Sequence, residues 1–356
     1  MKRPSILSIL LMAALSLAAS CSKKKSSPTE PTPTAAEPTV YTGGYYQISS
    51  REYACYWKNG VRVDLSGDGV HSAYVNGLAL SGSTVYCGGL YYNSSFALPC
   101  YWADTVRHDL PGGTNNTGVD AITIDGGTVY CSGWATGIAG SPHQAACYWQ
   151  GTAMQVLPAD TSHNGEACGI AVSGGAVYCC GYQDTLNGSG GNPRYWANDS
   201  MHTLPHDTAT QSYALGIRVD GGVTYVCGSY TINGREIACY WQDSVRHDLP
   251  GNGTNSASAY GICVAGGTVY TAGYADNGTQ KVPCYWAGTT RHDLSCGSAM
   301  YNQCTALTVH DGQVYCSGQI DQGTKRYACY WADGVRVDLP MDSTTSCGAT
   351  SGIAVQ

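Results

Sequence analysis

Three residues in one polar segment, PADTSHNGEAC (158–168), have the types and spacing that acid–base chemistry needs. Asp160, His163 and Glu166 follow at intervals of three, which could bring a base, an imidazole and an acid together. A glycosidase built on two carboxyl groups would need a second carboxylate cluster elsewhere in the fold, and the sequence shows none. Motifs for a serine nucleophile, a zinc protease or a phosphate loop are also absent. We therefore expect a protein that is not an enzyme, with a polysaccharide-active enzyme using this loop as the alternative.

The 18 cysteines suggest thiol chemistry of another kind. Without Cys21 there are 17, so the remaining cysteines cannot all form pairs within the chain. Opposed residues of a hairpin have Cα separations that overlap the disulfide range. The disulfide candidates are Cys87 with Cys100, across a turn at Asn93-Ser94, and Cys316 with Cys329, across a turn at Gln322-Gly323. The alternative is that these cysteines are small buried hydrophobic residues. No Cys-x-x-Cys occurs, so we expect neither a metal site nor another cofactor.

The composition indicates which elements must position these residues. The chain has 356 residues, of which 46 are Gly and 27 are Tyr, and only 12% are charged. Few helix formers and many Gly, Tyr, Thr and Val favour an all-β protein with many turns. The net charge of −7 argues against a nucleic-acid partner, which usually requires a basic face.

A repeat of about 45 residues runs through the chain and is marked by a Tyr-Trp pair. The pairs stand at 56–57, 101–102, 148–149, 195–196, 240–241, 285–286 and 330–331. Each unit contains four short apolar runs: a GIAV-like run (A), VY-x-x-G (B), CYW (C) and a run ending in Asp-Leu (D). Turn residues such as Asn59-Gly60 separate C from D, as in a tight hairpin. Four antiparallel strands in such a period are typical of a β-propeller blade.

The two ends of the repeat region complement one another. The region begins at strand B, at Val40, and ends at strand A, GIAVQ (352–356). Joined together, these pieces complete one blade and leave no exposed sheet edge. The sequence therefore predicts an all-β fold: one seven-bladed propeller over 40–356, closed by the C-terminal strand joining the N-terminal blade.

The position of the C–D turn predicts which residue lies opposite the repeated Trp, and it gives that Trp a structural role. A turn at Asn59-Gly60 places Trp57 opposite Arg62, and the equivalent turn places a Trp opposite an Arg in four further blades. In the other two blades Met154 and Met201 replace the arginine. Directly opposed side chains on one sheet face touch. We expect the guanidinium or thioether to stack on the indole as packing rather than as a binding site.

The N-terminus has the features of an export signal. A basic start and the apolar run ILSILLMAALSLAA precede LAASC, which resembles a bacterial lipobox. The resemblance implies a lipoprotein signal peptide over 1–20 and a lipidated Cys21; the alternative is an ordinary secretory signal. The polar Pro/Ser/Thr-rich remainder of 21–39 is typical of a flexible tether.

Nearly the whole chain resembles two known kinds of protein. Its period and closure are similar to those of WD40-type propellers, although the Gly-His and Trp-Asp signatures are missing. The YW-x-N-G units together with the lipobox resemble repeat-bearing surface lipoproteins of the Bacteroidota type. This resemblance implies an exported lipoprotein of the outer membrane, on its periplasmic or cell-surface side, and it implies no activity.

Function is expected on the face formed by the longer, more varied D–A and B–C loops, since binding residues usually lie on such loops. Trp134 is the one Trp outside the repeated motif, and four tyrosines lie near the start of strand A: Tyr74, Tyr213, Tyr260 and Tyr301. We expect these aromatic residues to bind a glycan or a protein partner at the channel mouth; the alternative is that they fill the channel. We further expect the propeller to be a monomer.

Overall fold

The computed structural model describes residues 37–160, 162–184, 191–206, 211–297, 300–323, 325–341 and 345–356. Within these residues all regular structure is β, and 28 strands form seven four-stranded antiparallel sheets arranged in a ring. The predicted seven-bladed propeller is therefore confirmed. It belongs to a compact unit that spans Pro38–Gln356. The signal segment 1–20, Cys21 and the tether as far as residue 36 lie outside the described residues.

Blades II to VII each use four strands that are consecutive in the chain, and blade I combines the two ends. Blade I contains β1 (Val40–Ile48), β2 (Arg51–Lys58), β3 (Val61–Asp64) and β28 (Thr345–Val355). Blade II contains β4 (Ala73–Ser81), β5 (Thr84–Tyr92), β6 (Ala97–Ala103) and β7 (Val106–Asp109), and blade III contains β8 (Thr117–Asp125), β9 (Thr128–Ala135), β10 (Ala145–Gln150) and β11 (Ala153–Val156).

The remaining blades repeat this arrangement. Blade IV contains β12 (Gly165–Ser173), β13 (Ala176–Asp184), β14 (Gly191–Ala197) and β15 (Ser200–Thr203), and blade V contains β16 (Gln211–Asp220), β17 (Val223–Ile232), β18 (Arg235–Gln242) and β19 (Val245–Asp248). Blade VI contains β20 (Ala257–Ala265), β21 (Thr268–Asp276), β22 (Lys281–Ala287) and β23 (Thr290–Asp293), and blade VII contains β24 (Asn302–His310), β25 (Gln313–Gln322), β26 (Lys325–Ala332) and β27 (Val335–Asp338).

The ring closes as the sequence predicts. Strand β28 pairs with β1 from Val40 opposite Val355 to Ile48 opposite Thr345. Beyond the last strand pair, Thr39 and Gln356 exchange two backbone hydrogen bonds of 2.8 and 3.0 Å. The C-terminal strand is thus the innermost strand of blade I, and no inner strand of that sheet is left without a partner.

The seven repeated tryptophans form the contacts between blades. Each has an exposed fraction of 1% or less. In six of them the indole N–H donates to a backbone carbonyl just after strand D of the preceding blade, as Trp102 does to Ser66 O (2.8 Å) and Trp241 to Pro205 O (2.8 Å). The exception is Trp57, whose indole nitrogen has no hydrogen-bond partner. The CYW motif therefore recurs because every blade must be tied to the blade before it.

The expected register of the C–D hairpins is confirmed, with Trp57 opposite Arg62 and Trp149 opposite Met154. The expected stacking partner needs correction, because the guanidinium of Arg62 lies over the ring of Tyr46 at 3.8 Å. Arg107 and Arg246 lie over the equivalent tyrosines of strand B in their blades. On its other side Arg62 pairs with Asp64 at 2.9 Å, which explains the recurring Arg-x-Asp spacing.

The predicted cysteine register is wrong by two residues. Cys87 lies opposite Trp102 and Cys316 opposite Trp331, while Cys100 and Cys329 lie opposite glycines, Gly89 and Gly318. Each of these two B–C turns is centred one residue later than expected, which shifts the partner of each cysteine by two positions; in blade II the backbone N–H of Asn93 donates to Phe96 O across the turn. All 17 cysteines of the described residues are free thiols, and most are buried in the blade cores. This agrees with the alternative of small buried hydrophobic residues.

A β-bulge interrupts the innermost strand of every blade at the same point. In blade II, Val75 faces Gly89 and Gly77 faces Gly88, so that Asn76 is the extra residue. The glycine of the VY-x-x-G motif stands opposite each bulge, where an added Cβ would lie 1.8–2.1 Å from a backbone carbonyl oxygen. That motif therefore recurs because only glycine leaves room for the bulged strand.

Candidate functional site

The seven bulge residues converge on the central channel, and we call them the bulge ring: Asn76, Asp120, Cys168, Leu215, Tyr260, Thr305 and Ser351. They line a cavity of about 400 Å³ together with the residues that follow them on the inner strands. The cavity lies toward the end at which the inner strands begin. We call this side of the propeller, formed by the D–A and B–C connections, the bulge face.

Three members of the bulge ring tie adjacent blades together. The amide of Asn76 donates to Val119 O at 2.8 Å, the hydroxyl of Thr305 to Thr350 O at 2.8 Å, and the hydroxyl of Ser351 to Val75 O at 2.5 Å. In each case the acceptor is the carbonyl of the residue before the bulge in the next blade. The ring thus has a structural rule, in which a polar bulge residue donates to its neighbour.

Asp120 departs from this rule because its side chain makes no such hydrogen bond to the next blade. Its Oδ2 atom is shielded from solvent and has no hydrogen-bond partner, which is true of no other carboxyl group in the described residues. Burial raises the pKa of Asp120 well above its usual value, and the nearby carboxylate of Glu166 raises it further.

Glu166 lies on strand β12 of the next blade and is better satisfied. Its Oε2 accepts from the Tyr182 hydroxyl at 2.9 Å and from the Gln144 amide at 3.3 Å, and the Cys168 thiol lies 3.9 Å from Oε1. Burial raises the pKa of Glu166, although these hydrogen bonds act in the opposite direction. The pKa values of both acids are therefore raised by burial, and the charge of Glu166 further disfavours ionisation of Asp120.

The sequence shows no second cluster of carboxyl groups, and the structure adds a single acid from another blade, Asp120, whose pKa the charge of Glu166 raises. Asp120 stands in the apolar run VDAITI of strand β8, where sequence alone gives it no partner. The bulge turns it toward the channel and the electrostatic influence of Glu166. A signal was present in the alignment of the repeats, since Asp120 is the only acid at its repeat position, but the bulge that makes the position important was not visible.

The trio proposed from sequence is not assembled as one group. Asp160 and His163 lie together, with 3.4 Å between Oδ2 and Nδ1, and Ser162 bridges them. Hydrogen bonds from Ser162 lower the pKa of Asp160, which is exposed. Within the described residues Glu166 shares no hydrogen bond or ion pair with either, because its partners are on strands β12 and β13 and before β10. Thr161 lies outside the described residues.

The predicted aromatic residues occupy three different environments. Tyr260 belongs to the bulge ring and lines the cavity. Tyr74 and Tyr213 pack edge-on against tyrosines of the neighbouring blades, with ring centroids 5.1 Å from Tyr45 and 5.0 Å from Tyr182. Both rings thus pack against neighbouring blades, and neither belongs to the lining of the bulge-ring cavity.

The other two aromatic residues are more accessible. Trp134, near the end of strand β9, is half-buried, and an added Cβ on Gly118 would lie 3.1 Å from its ring atoms Cε2 and Cζ2. It stands at the repeat position that Tyr45, Tyr182 and Tyr274 occupy in other blades. Tyr301 is 60% exposed just before strand β24. Trp134 and Tyr301 are thus the predicted residues with ring surface available on the bulge face.

The opposite end of the channel has a different character. A cavity of about 570 Å³ there is lined by aliphatic residues of the inner strands, among them Leu80, Ile124 and Val264, with Arg218 and Asp220 as the charged groups. Its lining also includes the Cys263 thiol, but among the described residues only the bulge face has a carboxyl oxygen, that of Asp120, which is shielded and has no hydrogen-bond partner. The bulge face is therefore the better candidate site.

The described residues offer neither a metal-binding cluster nor a membrane-spanning helix. No group of three or more His, Cys, Asp or Glu side chains is placed there to hold a metal ion. No helix in that part of the chain is long and apolar enough to cross a bilayer.

No family model and no curated protein matches the chain. Among solved structures, the acylaminoacyl peptidase of Pyrococcus horikoshii is similar with a TM-score of 0.50 and 10% identity, over 84% of this chain and 52% of that one. The computationally designed protein Ika8 (TM-score 0.40, 16% identity, 73% of this chain and 71% of that one) and a nidogen/laminin complex (0.42, 12%, 72% and 92%) also match. This chain spans about half of the peptidase, and at such identity the likeness shows the fold alone.

Proposed function

We propose that this protein is a non-catalytic binding or scaffold module that holds a glycan or a protein partner at the bulge face. A β-propeller supports such a module in general, because loops on a rigid ring present side chains without moving the core. The observation that carries the proposal is the cavity of about 400 Å³ inside the bulge ring. It combines an aromatic ring, Tyr260, with hydroxyl and amide groups, as small-ligand sites commonly do.

A direct test is ligand screening on a glycan array, with partner capture from an envelope extract as a second arm. We expect Trp134→Ala to lose most binding, because an aromatic face near the mouth contributes contact area and stacking. Val335→Ala is the matched control, since Val335 is 69% exposed on a C–D hairpin at the far face. Circular dichroism must show that both variants fold. Unchanged binding by Trp134→Ala would show that the ligand binds at another face of the propeller.

A second candidate is an enzyme that acts on a surface polysaccharide. The adjacent acids Asp120 and Glu166 favour it, because glycoside hydrolysis uses two carboxyl groups of which one has a raised pKa. Turnover of a polysaccharide by the wild type that Glu166→Gln abolishes would establish the enzyme. Binding without turnover supports the module.

We also propose that the protein is exported and attached to an outer membrane by a lipid on Cys21. The support is the lipobox-like LAASC and the polar stretch that separates it from the propeller. Cys21→Ala should release soluble protein in a fractionation experiment. Persistent membrane association of that variant would contradict lipid anchoring.

A further inference from the structure

The charge in the bulge-ring cavity is unbalanced. Asp120 lines the cavity and Glu166 lies beside it in the next blade, and the lining residues include no Lys, Arg or His. The groups that face Asp120 are Glu166 and Cys168 of strand β12 and Cys147 of strand β10, none of which is a cation. Asp184 adds further negative charge near Glu166. No protein group in this cavity can therefore neutralise an ionised Asp120.

The fold does not require an acid at this position. Asn76 fills the equivalent place in blade II and donates to the next blade, and Thr305 and Ser351 do the same in blades VII and I. Asp120 lacks that contact, and its shielded Oδ2 has no partner at all. A buried polar atom without a partner costs free energy unless something satisfies it. Since Asp120 also lines the cavity and has no cation beside it, a ligand there can offer its carboxyl group a hydrogen-bond donor that carries positive charge.

The remaining polar atoms of the ring describe the rest of such a ligand. Asn76, Thr305 and Ser351 use their donors on backbone carbonyls, so their oxygen atoms remain free to accept hydrogen bonds. Tyr260 adds an aromatic ring to the lining. Acceptors, one aromatic ring and an anion match a small polyhydroxylated molecule that carries an ammonium group.

We propose that the bulge-ring cavity binds an amino sugar with a free, protonated amine, whose ammonium group pairs with Asp120 beside Glu166 and whose hydroxyl groups donate to oxygens of the bulge ring. This inference rests on the proposed function and names its ligand class. Glu166 is a positioning residue that keeps negative charge next to Asp120, through its bonds to Tyr182 and Gln144.

Binding of such a ligand is coupled to a proton. In the empty site burial and the charge of Glu166 both raise the pKa of Asp120, which favours its protonated form. A bound ammonium favours the ionised carboxylate, so one proton leaves Asp120 as the ligand enters. Affinity therefore rises with pH until the amine itself loses its proton, and proton release is the signature of this site.

The test is isothermal titration calorimetry of the full mature chain with glucosamine, N-acetylglucosamine and glucose, in buffers that differ in ionisation enthalpy. We expect glucosamine to bind with proton release, and the two uncharged sugars to bind at least tenfold more weakly. Asp120→Asn should weaken glucosamine at least tenfold while it folds normally, because Asn can make the contact that Asn76 makes in blade II. Asp125→Asn is the matched control, since Asp125 is exposed at the far end of the same strand. If Asp120→Asn does not fold, Asp120→Ser takes its place in the test, because serine is the bulge residue of blade I (Ser351).

Equal binding of glucosamine and N-acetylglucosamine, or unchanged binding by Asp120→Asn, overturns the amino-sugar site. Tighter binding of Nα-acetyl-lysine N-methylamide, whose side-chain amine is free, than of glucosamine overturns the sugar assignment. If none of these probes binds but an array ligand is retained in a Trp134-dependent way, this inference fails and the proposed function stands. If the wild type retains no ligand or partner at all, both fail.

Discussion

Individual tryptophans distinguish the closing seam of the propeller from its other six seams. Six indole N–H groups donate across a blade boundary, and that of Trp57 has no acceptor. All seven rings are equally buried, so the burial of apolar surface is the same. The repeated residue therefore contributes packing in every blade and a hydrogen bond in six.

Replacing Trp by Phe should separate these two contributions. We expect Trp102→Phe to lower the free energy of unfolding by about 1–2 kcal/mol more than Trp57→Phe, because only Trp102 leaves a buried carbonyl, Ser66 O, without its donor. Urea unfolding of both variants measures the difference. Equal losses would show that the indole bond adds nothing to packing.

Asp120 should make stability depend on pH in a recognisable direction. Its pKa is raised in the folded state, so between the unfolded and folded pKa values the folded chain holds a proton that the unfolded chain has lost. The free energy of unfolding then falls as pH rises, by at most about 1.4 kcal/mol per pH unit for one proton. For Asp120→Asn the free energy of unfolding should change less with pH. The stability of this variant relative to the wild type should therefore increase as the pH rises above the pKa of Asp120 in the unfolded chain.

Chemical denaturation at several pH values from 4 to 9 checks this. Asp125→Asn, exposed on the same strand, should follow the wild type. A profile of Asp120→Asn parallel to that of the wild type would mean that Asp120 titrates normally in the fold.

At the scale of the strand, one glycine per blade permits the bulge that builds the candidate site. Gly89 faces the carbonyl of Tyr74, and a Cβ there would lie 1.9 Å from that oxygen. Neither atom can be moved by rotating a side chain, because both belong to paired strands. The glycine of the VY-x-x-G motif is therefore what permits the bulge, and the motif in the sequence marks the strand opposite each bulge-ring residue.

Gly89→Ala should consequently destabilise the protein by about 3 kcal/mol or more, since overpacking against backbone cannot be relieved locally. Gly67→Ala is the matched control, because the nearest atom to its new Cβ is 3.9 Å away. Thermal and urea unfolding measure both. A Gly89→Ala variant as stable as Gly67→Ala would show that the inner strand can lose its bulge without cost.

At the scale of the whole molecule, stability depends on the two ends meeting. Deletion of residues 350–356 removes the inner strand from its pairing with Val40–Gly44 and exposes a sheet edge. We expect the midpoint of thermal unfolding to fall by about 10 °C or more, given that 1 kcal/mol corresponds to roughly 2–4 °C at this size.

Deletion of residues 22–36, which lie outside the described residues, is the control and should leave that midpoint nearly unchanged. Differential scanning calorimetry of both truncations makes the comparison. Equal midpoints would contradict closure by the C-terminal strand.

The sequence by itself determined the repeat, the four strands of a blade, the closure by complementary ends and the register of the C–D hairpins. These follow from local rules, because two-residue turns such as Asn59-Gly60, both with positive φ, fix a hairpin register within one repeat. The B–C register could not be read in the same way. Its connections vary in length, and an Asn can stand at more than one position of a turn. In blade II the Oδ1 atom of Asn93 accepts from the backbone N–H groups of Ser95 and Phe96, which makes Asn93 the first residue of the turn.

Only the tertiary structure decided which acids meet. Asp160, His163 and Glu166 are close in sequence, yet Glu166 is held by Tyr182 and Gln144, and its charge raises the pKa of Asp120, one repeat away. A bulge in strand β8 places Asp120 in the lining of the channel cavity, although the strand pattern of VDAITI gives no sign of it. The strand pattern of a sequence reports burial of alternate residues, whereas a bulge breaks that alternation at the point where the channel is lined.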